Sequence, residues 1–205
     1  MKIGFIVECG PQGAETQVIP FLAKMIREDI ETEVIPLDRK PILKQDCGEF
    51  TKKLLESGYR MVMIIWDLLP DWGEYEGKGC RHDDRQEIFA SLREAGLKPN
   101  DKRIRLVCID KMIEAWLLAD EAALSNFLST EAHSVKIKKY KDPEKVRDPK
   151  AALKTLFENS KSPTSNYLDR IHALPIIKKA NISKLRRCDS FRRFEEKIKE
   201  AFPVG

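Results

Sequence analysis

The most apolar stretch of the chain, residues 61–66 (Met-Val-Met-Ile-Ile-Trp), is followed at once by an acid, Asp67. An apolar run of this length is typical of a central strand that is buried on both faces. Such a strand requires helices above and below its sheet. The run therefore predicts an α/β fold with a mostly parallel sheet and helices on both faces.

Strands and helices alternate through the first 130 residues. Further strands are predicted over 2–8, 32–37 and 104–109, and helices over 14–28, 49–56, 83–96, 112–118 and 121–128. A break between the last two helices is expected near Asp120. This alternation predicts parallel strands that are joined by crossover helices.

The composition becomes basic after about residue 129. A lysine-rich loop or hairpin is predicted over 133–149, followed by helices over 149–158, 167–180 and 190–201. Pro175 is expected to kink or interrupt the second of these helices. We therefore predict an α/β core over residues 1–130 and a basic, mainly helical extension over 131–205 that packs on it.

Charge is distributed unevenly between the two halves of the chain. Residues 1–133 carry 18 Lys and Arg against 24 Asp and Glu, whereas residues 134–205 carry 19 against 9. One interpretation is a site that holds cations beside a surface that attracts the phosphates of nucleic acid. The other is that the basic helices simply face water.

The sequence also bears on compartment and metal type. The apolar run at the start of the chain is too short for a signal peptide, and no stretch approaches membrane length, so we expect a cytoplasmic protein without membrane insertion. Five scattered cysteines predict free thiols in a reducing compartment. Cys80 and His82 have no second close pair, which disfavours a structural zinc site.

Acids that are candidate metal ligands follow three of the four predicted strands. Glu8 follows the first, Asp67 the third and Asp110 the fourth, while Asp71 and Glu114 each lie four residues further on. In open parallel sheets, ligands bind beyond the carboxyl ends of the strands. Carboxylates brought together there favour a hard cation such as Mg²⁺ or Mn²⁺. Acids also start turns and cap helices, and the spacing leaves both interpretations open.

Two of these acids lie in stretches that resemble Toprim domains. Residues 6–15 read Ile-Val-Glu8-Cys-Gly-Pro-Gln-Gly-Ala-Glu15, and residues 64–71 read Ile-Ile-Trp-Asp67-Leu-Leu-Pro-Asp71. This order resembles the Toprim layout, in which a Glu ends the first strand and an Asp-x-Asp pair ends the third. Toprim domains occur in topoisomerases, DnaG-type primases and OLD-family nucleases and hold Mg²⁺ with these acids. The resemblance implies a Toprim-like fold and a metal site.

A second resemblance is more particular. Residues 113–120 (Ile-Glu-Ala-Trp-Leu-Leu-Ala-Asp) and 188–194 (Cys-Asp-Ser-Phe-Arg-Arg-Phe) resemble a domain-of-unknown-function family of Toprim-like proteins. These proteins, like the similar RloB proteins, are often encoded beside ABC-type ATPases in prokaryotic defence loci. The resemblance implies a role in phage defence and an ABC-type ATPase as partner.

The chain departs from the Toprim pattern at two positions. Cys9 stands where a Gly is expected after the first Glu, and Asp67 and Asp71 are four residues apart instead of two. Two acids that are two residues apart at a strand end can share one ion, whereas a wider loop need not bring them together. Single-metal chemistry or simple metal binding is therefore favoured over two-metal cleavage.

Basic and aromatic side chains complete the set of candidates. Residues expected to contact a nucleic-acid backbone, or else to face water, are Arg186, Arg187, Arg192, Arg193, Lys138 and Lys139. His82 is a candidate general base or phosphate ligand, or a solvated residue at a helix start. Trp66 and Trp116 are expected in the core, and Trp72 and Tyr75 in a loop where a ligand could contact them.

Three functions follow from these candidates. The first is a Mg²⁺- or Mn²⁺-dependent nuclease or phosphoryl-transfer protein, in which Glu8, Asp67 and Glu114 are catalytic and Asp71 and Asp110 assist in holding metal. The second is a non-catalytic Toprim-like subunit that binds an ABC-type ATPase. The third, a phosphatase of small nucleotides, has only the metal site in its favour.

Overall fold

The computed structural model describes residues 1–69, 80–160 and 166–201. The chain forms two compact units: the first comprises the described residues of 1–109 and 193–205, and the second those of 110–192. The domain boundary predicted after residue 130 rests on composition, and it stays a prediction. Among the described helices, none is long and apolar enough to cross a membrane.

The first unit contains a four-stranded parallel sheet. Its strands are β1 (Lys2–Val7), β2 (Glu31–Pro36), β3 (Met61–Asp67) and β4 (Ile104–Ile109), in the spatial order β2-β1-β3-β4. All three neighbouring pairs run parallel, and Val7 of β1 lies opposite Ile65 of β3. The α/β fold with a parallel sheet is confirmed, and it is consistent with a Toprim-like fold.

Nine α-helices and one 3-10 turn lie in the described parts of the chain. They are α1 (Glu15–Ile26), α2 (Lys40–Glu56), α3 (Arg81–Glu94), α4 (Glu114–Leu117), α5 (Glu121–Leu128), the 3-10 turn Pro143–Lys145, α6 (Pro149–Asn159), α7 (Asp169–Lys179), α8 (Ile182–Leu185) and α9 (Asp189–Glu200). The predicted break between α4 and α5 is confirmed. The short helix α8 was not predicted.

Both faces of the sheet are covered, because neighbouring residues of β1 contact different helices. A Cβ atom added to Gly4 would meet the side chain of Leu54 in α2 at 2.6 Å, so this face packs against α2. The next residue, Phe5, points to the opposite face, where its ring lies 6.3 Å from that of Phe194 in α9. The expectation of helices on both faces is therefore confirmed.

Helix α2 begins at Lys40, well before the predicted start at residue 49. Pro41 suggested a loop, but proline is well tolerated in the first turn of a helix, where its missing N–H would have no partner. Lys40 and Lys44 also obscured the pattern, because they occupy the buried face of the helix together with Leu43 and Cys47. The charged residues therefore masked an apolar stripe of normal helical spacing.

The second unit is helical, with a core of large aromatic residues. Trp116 is fully buried, and its indole N–H donates a hydrogen bond to Ser190 Oγ at 2.7 Å. Asp120 caps α5 by accepting bonds from the N–H groups of Ala122 and Ala123, which explains the predicted break. Pro175 lies inside α7, so the expected interruption of this helix is wrong, although a kink is compatible with its position.

Candidate functional site

The strand order predicts where in the sheet a ligand would bind. The chain passes from β1 to β2 on one side of β1 and then returns from β2 through α2 to β3 on the other side, so the strand order reverses between β1 and β3. In open α/β sheets, ligands bind at the carboxyl ends of the strands at such a reversal. Glu8 follows β1 directly, and Asp67 is the last residue of β3. Both acids predicted from the sequence therefore lie at the reversal point.

Glu8 and Asp67 are held together by a hydrogen bond. The backbone N–H of Asp67 donates to Glu8 Oε2 at 3.1 Å, and the two residues are only 9% and 7% exposed. The pKa of Glu8 is raised to about 8: burial is the largest cause, Lys40 and the Asp67 N–H oppose it, and the nearby carboxylates of Glu15 and Asp84 act in the same direction as burial. The acidic site is therefore electrostatically unfavourable, and an additional cation would relieve it.

The loop after β2 fixes the backbone of Glu8. The N–H of Arg39 donates to the carbonyl oxygen of Glu8, and the N–H of Asp38 donates to that of Cys9 at 3.1 Å. Asp38 and Arg39 have positive φ angles of 30° and 124°, a conformation that costs on the order of 1–3 kcal/mol for residues other than glycine. A Cβ atom on Gly10 would lie 3.0 Å from Asp38 Oδ1, so glycine allows this close approach.

A third acid, Glu15, belongs to the same site. Burial raises the pKa of the Cys9 thiol, and the charge of Glu15 together with a hydrogen bond to its carboxylate raises this pKa further. Asp67 acts on the same thiol electrostatically. Cys9 is therefore a protonated donor at neutral pH, not a nucleophile. Glu15 was part of the Toprim-like stretch but was not predicted as a site residue.

Two buried lysines of α2 contact acidic side chains of α3 near this site. Lys40 Nζ donates to the carbonyl oxygen of Leu68 at 3.0 Å and lies 3.8 Å from Asp84 Oδ2. Lys44 Nζ lies 3.6 Å from Asp84 Oδ1 and 3.1 Å from Glu87. We refer to Lys40, Lys44 and Asp84 as the buried ion cluster.

The buried ion cluster is tied to β3 through Trp66. The indole N–H of Trp66 in β3 donates a hydrogen bond to Asp84 Oδ2 at 3.0 Å. Asp84 therefore accepts this bond and also pairs with Lys40 and Lys44. The prediction that Trp66 is a core residue is confirmed. None of the three charged residues was predicted as part of the site, because helical periodicity assigns charged side chains to the solvent face.

Metal-free protein is expected to lose stability as the pH rises toward 8, because of Glu8. Its carboxyl group has a pKa of 4.5 when unperturbed and about 8 in the fold. Between these values the folded chain retains a proton that the unfolded chain has lost. The free energy of unfolding should therefore fall by about 1 kcal/mol per pH unit in this interval. Urea unfolding in the presence of EDTA, repeated from about pH 5 to about pH 8, measures this change in the free energy of unfolding.

The variant Glu8→Gln isolates this contribution. It cannot ionise, so its free energy of unfolding should exceed that of the wild type increasingly as the pH rises. The two curves should converge below about pH 4.5, where folded and unfolded wild-type chains are both protonated. Parallel curves across the whole range would show that the pKa of Glu8 is normal.

The residues at this site fit a divalent cation of the Mg²⁺ type. Two acids lie side by side at the strand ends, joined by the bond from the Asp67 N–H to the Glu8 carboxylate. Mg²⁺ commonly takes only one or two protein carboxylates, with water and substrate phosphate as its remaining ligands. No group of three or more His, Cys, Asp or Glu side chains arranged to hold a metal occurs within 1–69, 80–160 and 166–201. Asp71, predicted as a further ligand, lies outside the described residues.

Comparison with protein families identifies the chain at the family level. The family described as Domain of unknown function (DUF4276) matches residues 11–199. The chain belongs to this family. No curated protein and no solved structure gave a significant match. The expected domain of unknown function is thus confirmed, whereas nothing in these comparisons links this DUF4276 chain to Toprim, RloB or OLD proteins.

The other two predicted acids of the DUF4276 chain belong to the second unit. Asp110 is half-buried at its start. Glu114 is buried in the first turn of α4, where Tyr167 Oη donates to its Oε1 at 3.5 Å and Lys150 Nζ lies 3.8 Å from the same oxygen. Glu114 therefore has partners within its own unit, and its role as a metal ligand stays a prediction.

The predicted arginines occupy different environments. Arg187 donates to the carbonyl oxygen of Ala119 at 2.7 Å and to Glu121, and Arg193, which belongs to the first unit, donates to the carbonyl oxygen of Cys108. These two side chains support the fold. Arg186 and Arg192 are exposed, and Arg192 pairs with Asp189.

The remaining candidates lie at the surface or outside the described residues. Lys138 and Lys139 are exposed, as is His82 in the first turn of α3. Nucleic-acid contact by these side chains stays a prediction. Trp72 and Tyr75 lie in the part of the chain that the structure does not describe.

Proposed function

We propose that the Glu8–Asp67 site binds Mg²⁺ or Mn²⁺ and catalyses metal-dependent phosphoryl transfer, with hydrolysis of a nucleic-acid phosphodiester as its reaction. The observation that carries this proposal is the pair of buried, hydrogen-bonded acids at the reversal point between β1 and β3. The Toprim resemblance of the two stretches that contain these acids supports the same chemistry. A role in phage defence is part of the proposal.

The chain's own residues have distinct roles in this proposal. Glu8 and Asp67 hold the cation, which when bound polarises a phosphoryl oxygen and lowers the pKa of a coordinated water. Asp71, four residues after Asp67 in the sequence, is proposed as a further ligand. Backbone bonds from Arg39 and Asp67 keep Glu8 oriented before any ligand arrives, which reduces the cost of organising the site.

The proposal predicts cleavage that depends on both metal and the two acids. Purified protein is incubated with plasmid DNA, single-stranded DNA and RNA in Mg²⁺, Mn²⁺ or EDTA. Glu8→Gln and Asp67→Asn should each lower the cleavage rate at least about 100-fold, which corresponds to about 2.7 kcal/mol of transition-state stabilisation. Glu49→Gln, which removes an exposed carboxylate from α2, is the matched control and should cleave at the wild-type rate.

Two outcomes would contradict a nuclease. One is the absence of cleavage with every metal and substrate, although thermal unfolding shows a folded protein. The other is cleavage that persists unchanged in Glu8→Gln and Asp67→Asn, since this would indicate a contaminating nuclease.

A specific observation favours a second function, that of a non-catalytic subunit. The buried ammonium group of Lys40 lies close enough to Glu8 to oppose the rise in its pKa, so the fold itself supplies a cation at the acidic site. A subunit of this kind would keep the fold and bind an ABC-type ATPase. It predicts that calorimetry shows no Mg²⁺ or Mn²⁺ binding and that the chain forms a stable complex with an ABC-type ATPase. Metal binding with turnover by the isolated chain would exclude it.

A further inference from the structure

A basic cavity lies at the opposite edge of the sheet from Glu8 and Asp67. It has a volume of about 590 Å³ and opens where β3 and β4 begin. Its polar lining consists mainly of Tyr59, Arg60, Lys102, Arg103, Arg105 and Glu200. Met61 at the start of β3 also lines it, whereas Asp67 ends the same strand, so roughly 20 Å separates the two sites at about 3.3 Å per residue.

Positive charge dominates this cavity. Among the described residues that line it, four are cationic and one, Glu200, is acidic. Arg60 and Lys102 are exposed, and neither forms an ion pair with any residue that the structure describes. Two cations without internal partners therefore face a concave space, where their repulsion would be relieved by a bound anion.

The other two arginines are oriented by neighbouring groups: Arg103 by Asp101, and Arg105 by the backbone carbonyl oxygens of Lys102 and Ile104, to which it donates. Asp101 holds Arg103 through Oδ1 and Oδ2, the shorter contact being 2.7 Å. Arg105 Nε lies 3.8 Å from Glu200 Oε2, and Glu200 is largely exposed. The distance between Arg105 and Glu200 is long and the pair is exposed to solvent, so the ion pair contributes little free energy. An incoming phosphate can therefore replace Glu200 at Arg105 with little loss of stability.

Part of the wall is apolar and can accept a ring. Leu55, Met61 and Ala201 line it together with Tyr59. The Tyr59 hydroxyl donates to the carboxylate of Glu33, which fixes the ring in place. The volume lies within the range of roughly 300–1,000 Å³ that is usual for small-molecule sites.

We propose that this cavity binds the polyphosphate group of a free nucleotide. Four cations around one concave space match the three or four negative charges of such a group, whereas a nucleic-acid strand requires cations spread along a track. The apolar wall offers a surface for the base or ribose. This inference is independent of the proposed chemistry at Glu8 and Asp67. The cavity lies at the N-terminal ends of β3 and β4, whereas those two acids lie at the C-terminal ends of β1 and β3.

Calorimetric titration of the full chain with ATP, inorganic triphosphate and a short single-stranded DNA tests the proposal. All titrations contain EDTA and use protein that carries Glu8→Gln and Asp67→Asn, so the outcome is separate from that of the cleavage assay. ATP and triphosphate should both bind. Adding Arg60→Ala and Lys102→Ala together should weaken ATP binding at least about tenfold, as expected for the loss of charge-assisted hydrogen bonds.

Two further variants make the test decisive. Arg93→Ala with Lys98→Ala removes the same two charges from exposed positions of the first unit outside the cavity, and it should leave ATP affinity unchanged. Glu200→Gln removes the competing acid and should tighten ATP binding about threefold or more, a gain that damage to the fold cannot imitate. Equal weakening by both double variants, or binding of the DNA alone, would overturn the proposal.

Discussion

Replacing Asp84 with Ala is expected to destabilise the protein by about 3–5 kcal/mol, the usual cost of leaving buried charges without their partner. Asp84 is 6% exposed and lies against Lys40 and Lys44, which are 3% and 4% exposed. It also accepts the indole N–H of Trp66. Its removal therefore leaves two buried ammonium groups short of negative charge and one buried donor without an acceptor.

Chemical unfolding of three variants separates these effects. Asp84→Asn retains an acceptor for Trp66 but loses the charge, so it should be destabilised less than Asp84→Ala. Asp83→Ala removes an exposed acid from the same turn of α3, and it should change the free energy of unfolding by no more than about 0.5 kcal/mol. Equal stability of Asp84→Ala and Asp83→Ala would show that the buried ion cluster contributes nothing.

The positions of Glu8 and Asp67 at the ends of their strands could be predicted, because an apolar run and the acid that follows it are adjacent in the sequence. The strands β1 and β3, which carry the two acids, are largely apolar runs, and in β3 the run ends directly at Asp67. Parallel order then brings the carboxyl ends to one edge, which places Glu8 near Asp67 without any knowledge of distant contacts. Continuous hydrophobicity and chain order were sufficient for this half of the site.

The other half depends on contacts between residues far apart in the chain. Asp84 is buried because Trp66, 18 positions earlier, donates to it, and because α2 presents two lysines to it. Helical periodicity treats Lys40 and Lys44 as surface residues, since it assigns charge to the solvent face. Only the packing of α2 against α3 gives these lysines an acid to pair with.

The same limitation applies to Glu114 in the second unit. Its position one helical turn after Asp110 suggested that the two acids act together. Its recorded partners, Tyr167 and Lys150, lie 53 and 36 positions away in the chain. Spacing along a helix gives the direction of a side chain, but the identity of its partner depends on tertiary structure.

Helices α2 and α3 meet at Gly48, and Gly48→Ala is expected to lower the free energy of unfolding by about 2–3 kcal/mol or more. A Cβ atom at this position would lie 2.1 Å from the backbone oxygen of Ser91, and backbone atoms cannot rotate away as side chains do. The preference of helices for Ala over Gly, worth about 1 kcal/mol, opposes this effect but is smaller. The two helices must therefore separate.

The substitution Ser91→Gly distinguishes whether the new Cβ atom of Gly48→Ala clashes with the backbone or with the side chain of Ser91. It removes the hydroxyl to which the Gly48 N–H donates at 2.9 Å, but it leaves the backbone oxygen in place. Adding it to Gly48→Ala should therefore restore no stability. Glu49→Ala, at the next and exposed position of α2, is the control and should change stability by no more than about 0.5 kcal/mol.

Separation of these helices should also disturb the acidic site. Lys44 lies one helical turn before Gly48 in α2, and Asp84 and Glu87 precede Ser91 in α3, so widening the crossing draws Lys44 away from both acids. Gly48→Ala should therefore alter the pH dependence of stability that arises from Glu8, because Asp84 acts on its pKa. A stability loss with an unchanged pH profile would mean that the crossing and the acidic site are independent.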